Sequence, residues 1–203
     1  MKICGGRFSI VAGMLVCIGI HGCVAKHGMN TPEGQAQGHT AMVGKVQVIL
    51  SGPSNRWFEP HLEFAELYNC KTRERVRLDF QAQQGVFLFS IPDGDYELVR
   101  VQVGEGAFRS MAQVVGAFSI KPNRLNYVGT WTLEVASPFY DRKIQVRFSS
   151  EMENTLSQFQ GKYPDYPLNA LEKSLPSPHT QNTRLFEVMP YPRVKYFRRH
   201  PAT

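Results

Sequence analysis

The sequence predicts an all-β protein: a seven- to eight-stranded antiparallel sandwich followed by one short α-helix and an irregular C-terminal extension. Three observations carry this. Apolar and polar residues alternate in five separate runs between residues 45 and 148, the period of strands with one face on a core. The runs are divided by SGPSN, NCKT, PDGD, GEGAFRS, KPNR and SPFYD, short turn-forming segments that suit a sandwich rather than a βαβ chain. No helical period appears before Ser150.

The chain has 203 residues, a formal charge of +6 and a pI near 9.2, values that invite a nucleic-acid reading until the charge is located. Residues 1–22 hold only Lys2 and Arg7, and residues 162–203 hold seven basic and three acidic side chains. The stretch between is balanced at 14 of each. A neutral globular part excludes a basic nucleic-acid module.

Taken in order, the chain begins with Lys2 and Arg7 ahead of an apolar run of 13 residues, Phe8 to Ile20. As a helix this run would span roughly 20 Å, short of a hydrocarbon core of about 30 Å, and it suits the h-region of a signal peptide. Residues 1–22 are therefore expected to be removed. Ile20-His21-Gly22-Cys23 resembles the lipobox of bacterial lipoproteins. That resemblance implies a diacylglycerol on the Cys23 sulfur, cleavage before it and acylation of the new amino group. With Val24 rather than Asp next, it further implies the outer membrane, facing the periplasm. Several acyl chains, at about 0.8 kcal/mol per buried CH₂, give stable attachment. The alternative is an ordinary secretory signal with an incidental cysteine.

After that cleavage Cys70 is the one thiol not lipidated, so no intrachain disulfide can form. It reads as a partly buried thiol at a strand end, or else as a reactive one. Residues 23–42 are rich in Gly, Gln, Thr and His without apolar period and read as a flexible tether, reaching roughly 25 Å. His27 and His39 lack ligand-spaced partners and read as exposed linker histidines.

Residues 43–161 form the expected sandwich domain with its C-terminal helix. Val46, Val48 and Leu50 share one face, as do Val76, Leu78 and Phe80, then Val99, Val101 and Val103, then Ile144, Val146 and Phe148. Leu125, Tyr127, Trp131, Leu133 and Val135 are assigned to one face across Gly129, which marks a bend or a close backbone approach. His61 to Tyr68, Val86 to Ile91 and Val114 to Ile120 read as further strands, with Glu66 at a bulge or an edge. Gly85 to Val103 reads as the central hairpin, closed where Pro92 presets φ and Gly94 supplies a left-handed residue. Ser150 with Glu153 suggests a capping box, opening a helix whose Met152, Leu156 and Phe159 lie on one side and pack on a sandwich end.

The pattern Gly85-x-Phe87-x-Phe89-x-Ile91-Pro92-x-Gly94-x-Tyr96-x-Leu98, followed by Lys121-Pro122-Asn123 and Tyr127-Val128-Gly129, resembles prealbumin-like (carboxypeptidase-regulatory-like) β-sandwich domains and the small bacterial lipoproteins built on them. The resemblance spans residues 43–149. It implies a sandwich without intrinsic catalysis and transfers no ligand-binding residue.

The sequence contains no H-E-x-x-H, C-x-x-C, G-x-S-x-G or Walker motif. Asp93 and Asp95 read as turn-capping residues rather than a calcium pair. No cofactor, metal or catalytic residue is expected. Trp57 and Phe58, between Arg56 and Glu59, form either a surface anchor for a partner or glycan, or an inward plug at an open sandwich end. Residues 162–203 contain seven of the 13 prolines, which exclude long helices and interior strands. Within them Leu168 to Leu175 suggests a helical turn and Arg184 to Met189 an edge strand. The end interleaves Tyr191, Tyr196 and Phe197 with Arg193, Lys195, Arg198 and Arg199, a mixture suited to anionic headgroups or lipopolysaccharide, or to a solvated tail.

The functional expectation is a membrane-anchored periplasmic lipoprotein, a non-catalytic binding or structural module for another cell-envelope component. A carbohydrate- or peptidoglycan-binding module is the alternative, and an envelope hydrolase is disfavoured for want of a nucleophile–base pair.

Overall fold

In the computed structural model the described residues are 24–28, 39–54, 56–80, 85–138, 141–164, 166–168 and 170–188, the first of these segments as backbone only. In chain order they form β1 Val24–Gly28, β2 His39–Ser51, β3 His61–Asn69, β4 Arg75–Asp79, β5 Gly85–Pro92, β6 Gly94–Glu105, β7 Phe108–Ile120, β8 Leu125–Ala136, β9 Lys143–Ser149, α1 Met152–Lys162, β10 Leu171–Lys173, β11 Thr180–Arg184 and β12 Phe186–Glu187. Two sheets face each other, one in the order β1-β4-β3-β6-β7-β12 and one in the order β11-β9-β8-β2-β5, with β10 beside β8. The predicted sandwich with a single short helix is present. Most pairings are antiparallel, but β1–β4, β2–β8 and β10–β8 are parallel.

Between the sheets the inward residues bury an aromatic centre. Phe80 meets Phe87 and Phe89 edge-on at 5.3 and 5.1 Å, and Trp131 meets Phe87 and Phe148 at 5.4 and 5.8 Å. Edge-to-face rings add to the burial that holds the layers together. Trp131 is fully enclosed, and its Nε1–H donates to the Val128 carbonyl at 3.0 Å, so the buried indole keeps its donor paired.

Alternation assigns faces correctly only between bulges. In β8, Leu125 and Tyr127 point outward, whereas Val128, Trp131, Leu133 and Val135 point into the main core. The β2–β8 register shifts where Gly129, at φ +86°, sits, and one inserted residue reverses the parity beyond it. The close approach expected as one alternative at Gly129 exists, but the single face drawn across it does not. A Cβ there would lie 2.6 Å from Leu175 Cδ2 and 2.8 Å from the Ser149 carbonyl oxygen. In β6 a shift between Leu98 and Arg100 does the same, so Leu98, not Val99, joins Val101 and Val103 inside. Glu66 does lie at a bulge, where the β3–β6 register shifts between Glu66 and Leu67. It is buried and held by Arg75 and Arg100.

The Gly85–Val103 stretch is not a hairpin. β5 pairs with β2, whereas β6 pairs with β3 and β7. The turn at Pro92–Gly94 carries the chain from one sheet to the other, braced by the Tyr96 hydroxyl donating to the Pro92 carbonyl at 2.8 Å. Turn residues encode a reversal of direction, not the sheet in which the next strand pairs.

The helix α1 packs on the outer face of the second sheet rather than on a sandwich end. Phe159 completes a second core with Ala41, Val43, Val86, Leu88, Leu125 and Tyr127. Both faces of β2, β5 and β8 are therefore covered there. The capping box does not form: Glu151 occupies the N-cap without a side-chain hydrogen bond, and its own N–H donates to the Tyr127 hydroxyl at 2.9 Å.

Two segments read as irregular are structured. Of the stretch expected as a tether, residues 24–28 form β1 along β4, and His39 to Met42 open β2 opposite Phe89 to Pro92. A backbone ladder needs no apolar period. In the C-terminal extension, Leu171–Lys173 is a strand rather than a helical turn, and the edge strand expected at Arg184–Met189 is present at Phe186–Glu187. Between them the chain runs along the free edge of β7. Ser174 Oγ accepts from the Ser119 N–H at 3.0 Å and donates to its carbonyl; Ser177 exchanges both backbone bonds with Ala117; Gln181 grips Val115 N–H and C=O with its amide. The extension is a strap that closes the sandwich edge.

Candidate functional site

At one pole of the sandwich, Gly52 to Pro60 connects β2 to β3 beside the β6–β7 and β8–β9 turns. Its foundation is ionic. Glu105, the last residue of β6, has a side chain 2% exposed and receives both arms of Arg142, one of them at 2.8 Å. Arg142 also donates through Nε to the Ala136 carbonyl at 2.8 Å. Arg56 adds a second guanidinium, paired to Glu105 with one nitrogen and to Glu187 with the other, and stacks 3.9 Å over the Phe108 ring. Burial alone would raise the Glu105 carboxyl, but the hydrogen bonds and charges of Arg142 and Arg56 outweigh it and hold the group below the usual carboxylate range.

Upon this base stand the two aromatics. Trp57 is 96% exposed and Phe58 64% exposed, so the inward plug does not form. The Phe58 ring lies against Gly106, at φ +63° in the β6–β7 turn, where a Cβ would collide with it. The Arg56 N–H donates to Ser54 Oγ at 3.0 Å, and the Ser137 hydroxyl to the Pro53 carbonyl at 2.6 Å, fixing the loop from both sides. A nearly bare indole on a pinned loop offers a flat apolar face in water, fit for stacking.

The remaining sequence-predicted residues are not brought to this pole by the described residues. Cys23, Arg193, Lys195, Arg198 and Arg199 lie outside the described residues. Cys70 is exposed rather than partly buried, in the β3–β4 turn, its thiol pushed up by desolvation and by the Glu97 and Asp95 carboxylates. Asp95 accepts from the Ser119 hydroxyl. Among the described residues no three His, Cys, Asp or Glu side chains converge as a metal set, and no helix is long and apolar enough to cross a membrane. At the opposite pole His39, Thr40, Asn123, Arg124 and Tyr166 line a cleft of about 330 Å³.

Sequence reasoning missed the Glu105–Arg142–Arg56–Glu187 network. One signal was present, since Glu105 continues the inward parity of Val101 and Val103 and so falls on the core side. Its partners come from three distant parts of the chain and carry no local mark. Compared with known protein families, curated proteins and solved structures, the chain matches none.

Proposed function

We propose that this chain is a lipid-anchored, non-catalytic binding module of a bacterial envelope, held at the periplasmic face of the outer membrane through Cys23 and engaging another envelope component through Trp57 and Phe58. The reading joins the lipobox resemblance at Cys23 to the resemblance of residues 43–149 to prealbumin-like lipoprotein domains, scaffolds that imply no chemistry of their own. The observation that carries it is the exposure of Trp57 on a loop pinned by buried ion pairs. Burying such a ring against a partner releases water from a large apolar surface without first having to order the loop.

Two measurements test it. Cys23→Ser is expected to abolish palmitate labelling and to release the protein from the membrane fraction; continued labelling removes the anchor. A photo-crosslinker at position 57 is expected to trap envelope material that one at exposed Val115 does not. Equal trapping at both positions removes the binding site.

A further inference from the structure

The cleft at the pole opposite Trp57 joins an apolar floor to a polar, preorganised rim. Its Ala41 and Leu125 belong to the outer face of the second sheet, in the core that α1 completes. Tyr166 bounds the cleft, its ring edge-on to buried Phe159 at 5.4 Å. The β7–β8 turn contributes Asn123 and Arg124. That turn is held by Asn126, which is fully buried: its Oδ1 accepts from the Lys121 N–H at 2.8 Å, and its Nδ2 donates to the Lys121 and Arg124 carbonyls at 3.0 and 3.1 Å. Asn123 takes a φ of +56°, a left-handed conformation that asparagine tolerates better than most residues. A turn fixed in this way presents its side chains without having to be ordered by a ligand.

Five of the eight residues lining the cleft are polar and none is acidic. Thr40 is buried and His39 half-buried. Arg124 meets Glu172 through Nη1 at 3.5 Å, both side chains being partly in solvent. Such a pair is weak, and a carboxylate received by the guanidinium fork through two parallel bonds outcompetes it. A further observation comes from the next strand. Ser90 pairs with Ala41, so the two share the outer face. Its Oγ is the one buried side-chain polar atom without a hydrogen-bond partner among the described residues. A buried hydroxyl left unpaired is unusual, and here it follows Val86 and Leu88 on the same face of β5. That stretch of the face is not filled for packing alone.

We infer that this cleft binds a sugar acid, its carboxylate paired with Arg124, its hydroxyls hydrogen-bonded by Thr40, Asn123 and His39, and its ring set against Tyr166. The site lies apart from the Trp57 loop and rests on neither that binding surface nor the lipid anchor. Its volume of about 330 Å³ stands at the lower end of small-molecule sites, which run from roughly 300 to 1,000 Å³. A fatty acid would need a mainly apolar channel. An amino acid would need an acidic side chain for its ammonium group, and a phosphate ester's double charge more than one fixed cation. A ring with hydroxyls and a single negative charge matches what the lining offers.

The test is calorimetric titration of the full chain with glucuronate, with glucose as its neutral counterpart and with acetate as a carboxylate without a ring. Glucuronate is expected to bind at least tenfold more tightly than either. In Arg124→Gln its affinity should fall roughly tenfold or more, the scale of a charge-assisted hydrogen bond, and the preference over glucose should disappear. Glu172→Gln removes the competing carboxylate and should bind glucuronate at least as tightly as the native chain, while Trp57→Ala should leave binding unchanged. Amide resonances that shift on adding glucuronate should centre on residues 39–41 and 123–125. Absence of glucuronate binding, equal affinity for glucose, a preference that survives Arg124→Gln, or shifts centred on the Trp57 loop would each overturn the inference.

Discussion

Glu105 is a carboxylate at a position where alternation along β6 puts valines, and it is tolerated because two guanidiniums meet it there. Breaking a buried pair by removing one partner costs about 3–5 kcal/mol, because the charge left behind is uncompensated. Glu105→Gln leaves Arg142 without its carboxylate and Arg56 with Glu187 alone, and is expected to lower the urea midpoint at pH 7 by a corresponding amount. The pH dependence follows from the lowered carboxyl. Its stabilising contribution is complete above the unfolded-state value, about 4.3, and is lost as pH falls through the lower folded-state value. The native protein should therefore lose stability in acid more steeply than Glu105→Gln. Parallel acid limbs for the two proteins would refute the role given to this network. Trp57 shows the opposite relation between residue and environment: nothing inside the fold needs it, so its removal should leave stability unchanged.

At the scale of elements, the strap and the strand reversals dominate. Period-two patterning located nearly every strand of the sandwich, yet it misassigned faces in β6 and β8, where a register shift reverses the parity of everything beyond it. It also read the residues beside β7 as irregular, because the strap satisfies that edge partly with side chains of Ser174 and Gln181 rather than with a continuous ladder. Replacing both by Ala is expected to speed amide exchange at Val115 and Ser119, each of which donates to one of those side chains. Ala117, which donates to the Ser177 carbonyl, should remain protected. Uniform loss of protection along β7 would mean that the strap acts as one unit rather than through these contacts.

For the whole molecule the arrangement of poles predicts an orientation. Cys70 sits exposed in the β3–β4 turn, at the pole where Val24 begins, and Trp57 stands at the other. In vesicles carrying the lipidated protein, nitroxide headgroups should quench a fluorophore on Cys70 and spare Trp57, whose only companion indole, Trp131, is buried. Stronger quenching at Trp57 would contradict this orientation. The sequence by itself determined that the chain is a sandwich, where most of its strands and its helix fall, and that Trp57 and Phe58 deserved notice, since alternation, turn residues and adjacent aromatics are local patterns. Only the tertiary structure decided that Pro92–Gly94 joins two sheets, that α1 covers the second sheet, that the extension closes the β7 edge, and that Arg56, Glu105, Arg142 and Glu187 meet beneath the aromatic loop. Each of these depends on contacts between residues far apart in the chain, and no short-range pattern encodes which distant partner a strand edge or a buried charge will find.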